Sequence, residues 1–252
     1  KKGTGEMSDM HKMNKNNIKG LIFDYGATLD TCGCHWGQMI RHAYERNTIP
    51  VTEEQFREAY VFAERTLGTN PIIQSRYTFY KTLQIKIRIE MEFIKEQNYW
   101  NPSKTELDNA ITAVVDDLYA KVKDYTHQSV ELLTALKKKY RIVLVSNFYG
   151  NISVVLHEFG FDGMFEKIIE SAVVGIRKPD PRIYMLGVET LEIKPEEVAV
   201  IGDSFKKDII PAKKLGCSAI WIKGETWTEE NNDDSLPDMI ISDLKELTEI
   251  FI

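Results

Sequence analysis

From residue 126 onward the chain alternates short apolar, β-rich runs with stretches of helical periodicity, and the apolar runs end in polar or acidic residues. Arg141-Ile-Val-Leu-Val-Ser146 runs out into Ser146-Asn147, and Val198–Ile201 into Gly202-Asp203. Lys167–Ser171, Ala219–Ile222 and Met239–Ile241 read as further strands. Helices are predicted over Ser129–Tyr140, Ile152–Phe159, Arg182–Leu191, Lys207–Leu215 and Leu244–Phe251. Uninterrupted apolar strands separated by helices imply a parallel sheet covered on both faces, a doubly wound α/β core. Ile18-Lys-Gly-Leu-Ile-Phe-Asp24 supplies an earlier strand of the same kind. Ligands of such sheets bind beyond the carboxyl ends of the strands, where Asp24, Ser146 and Asp203 all fall.

Between that first strand and the rest, Cys32–Val122 reads as helix. Trp36–Arg46, Thr52–Leu67, Ile72–Tyr99 and Lys104–Val122 carry helical spacing, Thr52-Glu-Glu-Gln55 resembles a capping box, and Gly68-Thr-Asn-Pro71 and Asn101-Pro102-Ser103 break the pattern. The expected organisation is a flexible polar tail at 1–17, an α/β core formed by 18–30 and 126–252, and an all-helical cap at 31–125. A cap that leaves directly after the first strand is placed to close over the site.

The formal net charge of −6 argues against nucleic acid as a partner. An acidic protein that handles an anion must concentrate positive charge locally. Cys32, Cys34 and Cys217 are too few for a disulfide framework, and Cys32-Gly-Cys34-His35 is half a metal site with no second half. No stretch approaches the roughly 18 apolar residues that span a bilayer, and residues 1–17 hold no signal-peptide core. A cytoplasmic protein with reduced thiols is expected.

Four segments carry chemistry. Asp24, in Asp24-Tyr-Gly-Ala-Thr-Leu29, is a carboxylate that can attack an electrophile or simply cap a turn. Ser146-Asn147 can hold an oxygen of a tetrahedral anion, or make an ordinary turn. Lys178, in Arg177-Lys-Pro-Asp-Pro181, is a point charge on a segment stiffened by two prolines, or a solvated lysine. Asp203 and Asp208, in Gly202-Asp-Ser-Phe-Lys-Lys-Asp208, suit a hard, oxygen-ligated cation such as Mg²⁺, or cap the next helix.

The order and spacing of these segments resemble the haloacid dehalogenase-like (HAD) superfamily over about residues 18–252. The resemblance implies a Rossmann-like core with a helical cap and a small phosphorylated substrate. It implies Asp24 as nucleophile, Ser146, Asn147 and Lys178 as phosphoryl ligands, and Mg²⁺ held by Asp24, the Gly26 carbonyl, Asp203 and Asp208. Asp208 would bind the metal or brace Lys178. A monomer or weak homodimer is expected. HAD phosphatases usually read Asp-x-Asp-Gly-Thr-Leu, and here Gly26 stands where the second Asp would protonate the leaving group. Losing such help costs about 10²–10⁴ in rate. Asp30 and His35 are nearby candidates to replace it. The alternatives are a degenerate protein that binds a phosphorylated ligand or partner, and a dehalogenase-type C–X hydrolase. In the cap, Arg41, His42, Arg65, Arg76 and Lys81 are candidates to meet an anionic substrate.

Overall fold

The computed structural model describes residues 13–252, so most of the expected tail lies outside the described residues. Lys15–Asn17 form one tight turn, with the Asn14 side chain accepting from the Asn16 N–H at 3.1 Å.

Six parallel strands form one sheet in the order β3-β2-β1-β4-β5-β6. They are β1 Gly20–Phe23, β2 Arg141–Ser146, β3 Lys167–Glu170, β4 Val198–Gly202, β5 Ser218–Ile222 and β6 Met239–Ile241. Successive side chains of a strand point to opposite faces. Leu21 and Phe23 therefore enter one core and Ile22 the other, and all three are fully buried. A single-turn helix, α6 (Ser171–Val174), follows β3, and the second face is covered by α7 (Arg182–Leu191) and by residues 205–214, which end in α8 (Ile210–Lys214). The first is covered by α5 (Ile152–Glu158), α9 (Glu246–Phe251) and the helical insert. This is the doubly wound, Rossmann-like α/β fold that the alternation implied. It places the three motif-bearing strands side by side as β2-β1-β4.

The insert holds α1 (Trp36–Arg46), α2 (Glu53–Thr69), α3 (Phe79–Glu96) and the start of α4 (Lys104–Leu136). The Thr52 capping box forms, with Gln55 N donating to Thr52 Oγ1 at 3.2 Å and Thr52 N to Gln55 Oε1 at 2.9 Å. Two differences from the sequence reading fall in the insert, and the helix expected from Lys207 is instead a wide turn at Phe205–Ile209 followed by α8. Helix α3 begins at Phe79 rather than Ile72, because Thr78 caps it by accepting from Lys81 N at 3.1 Å. Helix α4 is a single rod of 33 residues where two helices were expected. No Gly or Pro interrupts it, and the Thr126 hydroxyl bonds back to the Val122 carbonyl at 2.7 Å, so the polar stretch stays helical. Ser129 Oγ then donates to the Leu29 carbonyl at 2.7 Å and ties the rod to the segment after β1. Among the described residues no helix is long and apolar enough to cross a membrane.

The apolar stripe of α3 carries two charged residues, Lys86 and Glu90. Glu90 is fully buried and accepts from Tyr44 Oη at 2.9 Å. Burial pushes its carboxyl up to about 7, against Lys86 and the Tyr44 hydrogen bond. A carboxyl raised in the folded state contributes stability that is present at low pH and is lost as pH rises from its ordinary value of 4.5 through about 7. The stability of the unaltered protein relative to Glu90→Gln is thus expected to fall between pH 5 and pH 8 by on the order of 1–3 kcal/mol. Thermal melts of both at each pH measure it; a constant difference would show that Glu90 does not titrate in this window.

Candidate active site

Asp24 follows β1 directly, and its N–H donates to the Ile201 carbonyl of β4 at 2.9 Å. That bond extends the ladder one step past the strand and fixes the Asp24 backbone at the carboxyl edge of the sheet. The residue is 6% exposed. Oδ1 accepts from Lys178 Nζ at 2.6 Å and Oδ2 from Thr28 Oγ1 at 3.1 Å. Burial raises the Asp24 pKa, Lys178 opposes it, and Asp208 adds to it.

Asp203 follows β4, next to β1 in the sheet. Its N–H donates to Thr28 Oγ1 at 3.1 Å, its Oδ1 lies 3.2 Å from that hydroxyl, and its carbonyl accepts from Trp221 Nε1 at 2.7 Å. Burial first, then the Asp24 and Asp208 charges, hold its carboxyl well above the usual carboxylate range. Asp208 lies on a turn wider than an α-helix at Phe205–Ile209. Its Oδ1 accepts from Lys178 Nζ at 2.8 Å and Tyr184 Oη at 2.6 Å, and its Oδ2 from Ser204 N at 3.0 Å. Gly202 permits this closeness, since a Cβ there would stand 2.5 Å from Asp208 Cγ.

Lys178 is 4% exposed and sits between two carboxylates. Burial would lower its pKa, but Asp208 and Asp24 outweigh it and keep the ammonium charged. Asn147 uses both ends of its amide on the Lys178 backbone, accepting from its N–H at 2.9 Å and donating to its carbonyl at 3.2 Å. The Asn147 side chain therefore positions Lys178. Ser146 ends β2, is 1% exposed, and its hydroxyl makes only a long 3.5 Å contact with the Asn147 carbonyl.

Ligand atoms of Asp24, Asp203 and Asp208 lie within 4.8 Å of one another. Three carboxylates at this separation repel, and a hard divalent cation that prefers oxygen relieves the repulsion. The donor set fits such an ion, although Asp208 already has hydrogen bonds on both oxygens. The Cys32–His35 run is in no potential metal-binding group among the described residues.

The two candidates to replace the missing acid are otherwise engaged. Asp30 accepts from Ala27 N at 2.7 Å and Trp36 Nε1 at 2.9 Å, and burial pushes it up to about 7. His35 caps α1 by accepting from Gly37 N at 3.0 Å on Nδ1 and stacks on Trp227. The loop conformation is also informative. Gly26 lies outside the left-handed region, and a Cβ there would meet nothing within 4 Å. The left-handed residue is Ala27, with φ 63°, at the position where the family pattern has Gly.

Sequence reasoning missed Thr28 and Tyr184. Thr28 was legible as a hydroxyl four residues after Asp24, but its bridge to Asp203 exists only because β1 and β4 pair. Tyr184 falls on the buried face of α7 and gives no sign of its contact with Asp208. Of the insert's basic candidates, Arg41 and His42 pair with Glu45 and Glu225, Arg76 bonds Gln74, and Arg65 and Lys81 are exposed. The buried cation of the insert is Lys86.

A buried carboxylate beside a buried lysine, with an acidic cluster, thus stands at the carboxyl edge of a doubly wound sheet. Residues 19–216 match the family described as haloacid dehalogenase-like hydrolase, and the chain belongs to that family. It is 27% identical over 149 residues to a glyceraldehyde 3-phosphate phosphatase of Methanopyrus kandleri, covering 56% of this chain and 62% of that protein. It is 32% identical over 83 residues to a phosphoserine phosphatase of Thermus thermophilus, 33% of this chain and 32% of the relative. The chain thus spans less than two thirds of the length of these relatives. The fold is that of the L-2-haloacid dehalogenase of Xanthobacter autotrophicus, with TM-score 0.56 at 16% identity over 92% of this chain and 98% of the other. The HAD-hydrolase YfnB of Bacillus subtilis aligns with TM-score 0.55 at 17% identity over 93% and 98%.

Proposed function

We propose that this chain is a Mg²⁺-dependent phosphatase of a small phosphorylated metabolite, working through an aspartyl-phosphate on Asp24. The observation that carries the reading is the Asp24–Lys178–Asp208 chain of short contacts beside Asp203, at the sheet edge where ligands bind. The phosphatase names of the relatives support the same chemistry.

Asp24 Oδ attacks phosphorus, the P–O bond breaks with its electron pair left on the leaving oxygen, which takes a proton from water, and water later cleaves the acyl phosphate to free Asp24 and inorganic phosphate. Lys178 holds a phosphoryl oxygen with a proton-bearing ammonium that Asp208 and Tyr184 keep in place. The Ser146 hydroxyl supplies a further donor. Asp24, the Gly26 carbonyl and Asp203 would hold Mg²⁺, with Asp208 bracing Lys178, and the ion would neutralise charge on the transferring group. Asp24, Ser146, Lys178 and Asp208 are buried, and the low local dielectric strengthens each of these interactions.

The test is a panel of phosphate monoesters with Mg²⁺ and with EDTA. Turnover that requires Mg²⁺ is the expected result. Chloride release from 2-chloroacids without metal, and no ester turnover, would overturn it. Gly26 favours a second reading, a ligand-binding protein without efficient turnover. Thermal stabilisation by a phosphorylated ligand with no hydrolysis would support that reading instead.

A further inference from the structure

A polar cluster that the phosphoryl chemistry does not use lies where the insert meets the sheet's carboxyl edge. His35 comes from the loop leaving β1, Tyr149 from the loop leaving β2, Lys207 from the segment leaving β4, and Trp227 from the loop leaving β5. The insert adds Tyr60 and Glu64, one turn apart on α2, and Lys86 on α3. Lys86 Nζ contacts Glu64 Oε1 and sits 4.9 Å from the centre of the Tyr60 ring. The Tyr60 ring in turn lies 6.1 Å from His35 and 4.6 Å from Trp227. Every sheet-derived member comes from a loop at the end of a strand, the same edge that carries Asp24, Ser146 and Asp203. Tyr149 is three residues beyond Ser146.

We infer that Glu64, paired with Lys86, reads the leaving group of the substrate and selects esters whose leaving group carries hydroxyl or amino donors over those carrying a second carboxylate. This rests on the phosphatase reading above. The Lys86 side chain is 10% exposed and that of Glu64 is 41%; Glu64 Oε1 is buried against Lys86, which leaves its other oxygen as the one a ligand can meet. Burial would raise the Glu64 pKa, but Lys86 outweighs it, with Lys207 adding to the effect, and the group stays ionised. An ionised carboxylate accepts from hydroxyl or ammonium groups, whereas a second carboxylate has no proton to donate to it. Lys86 cancels its long-range field, so a phosphoryl dianion is not repelled from the acidic site below. Without Glu64, the buried Lys86 ammonium would lack its ion-pair partner and attract anions.

A matched pair of esters tests this. Glycerol 3-phosphate and 3-phosphoglycerate share a skeleton and differ by hydroxymethyl against carboxylate at one carbon. With Mg²⁺, the unaltered protein is expected to favour glycerol 3-phosphate in kcat/KM by about tenfold or more. Glu64→Gln is expected to lower kcat/KM for glycerol 3-phosphate, raise it for 3-phosphoglycerate, and shift their ratio by at least about tenfold. Glu64→Asp keeps the charge and is expected to keep the direction of preference. The ratio does not depend on the fraction folded, so a loss of stability cannot imitate the shift. Turnover of phosphate esters with the same ratio in all three proteins would overturn the inference and leave the phosphatase reading standing. No turnover of any phosphate ester by the unaltered protein would overturn both.

Discussion

Asp24→Asn is expected to lower Mg²⁺-dependent phosphatase turnover by at least about 10⁴-fold, roughly 5.5 kcal/mol of barrier. The amide keeps the shape of the carboxylate but is a far weaker nucleophile, so no acyl phosphate forms. Lys178 would keep its 2.8 Å contact with Asp208, so the ammonium does not become an orphan charge. The substitution also removes one of three mutually repelling acids. Without Mg²⁺ its melting temperature is therefore expected to equal or exceed that of the unaltered protein, while stabilisation by Mg²⁺ shrinks. Loss of activity with unchanged or higher Tm separates chemistry from folding. A variant that keeps activity within tenfold would remove Asp24 as the nucleophile.

Gly26→Asp is expected to raise turnover by about 10²-fold or more, within the 10²–10⁴ that a positioned acid and base supply. The structure gives this its sign. A Cβ at Gly26 meets nothing within 4 Å, and the residue is outside the left-handed region, so the backbone does not require glycine. Asp30 and His35 are held by the bonds described above. The conformational strain falls one residue later, at Ala27 with φ 63°. For a residue with a Cβ this conformation costs about 1–2 kcal/mol. Ala27→Gly is accordingly expected to raise stability, and the pair Gly26→Asp with Ala27→Gly should give the faster and steadier enzyme. Unchanged or lower turnover in Gly26→Asp would mean that another group already moves the proton. Steady-state kcat on phosphate esters of differing leaving-group pKa sharpens the comparison. The gain should be largest where the leaving group is most basic, because those esters depend most on protonation.

Much of the site was legible in order and position along the chain. Asp24, Ser146 and Asp203 end apolar strands, and parallel strands flanked by helices put those ends on one edge. Lys178 was legible through its prolines and its place between strands. What the chain's order could not give was the distribution of roles among neighbours. Asn147 and Asp208 are polar residues of kinds that bind ligands directly, yet the fold commits both Asn147 amide atoms and both Asp208 oxygens to holding Lys178 and its surroundings. Lys86 was open to detection, since Phe79, Leu83, Lys86, Ile87, Glu90 and Ile94 share one helical stripe and a charge on such a stripe must find a partner. Its partner, Glu64, lies on a different helix at no fixed spacing.

The sequence by itself determined the doubly wound α/β core, the helical insert after β1, and the set of acids and bases available at the strand ends. Periodicity and strand-end chemistry are local, and local rules read them. Only the tertiary structure decided that α4 runs unbroken from insert to core and that Thr28 bridges Asp24 and Asp203. It alone showed that Gly26 occupies open space rather than a glycine-requiring turn. Those outcomes depend on which strands pair and how closely helices approach, and such long-range contacts leave no fixed spacing along the chain. A Cβ at Gly26 would meet nothing within 4 Å, so the space for a side chain there is open.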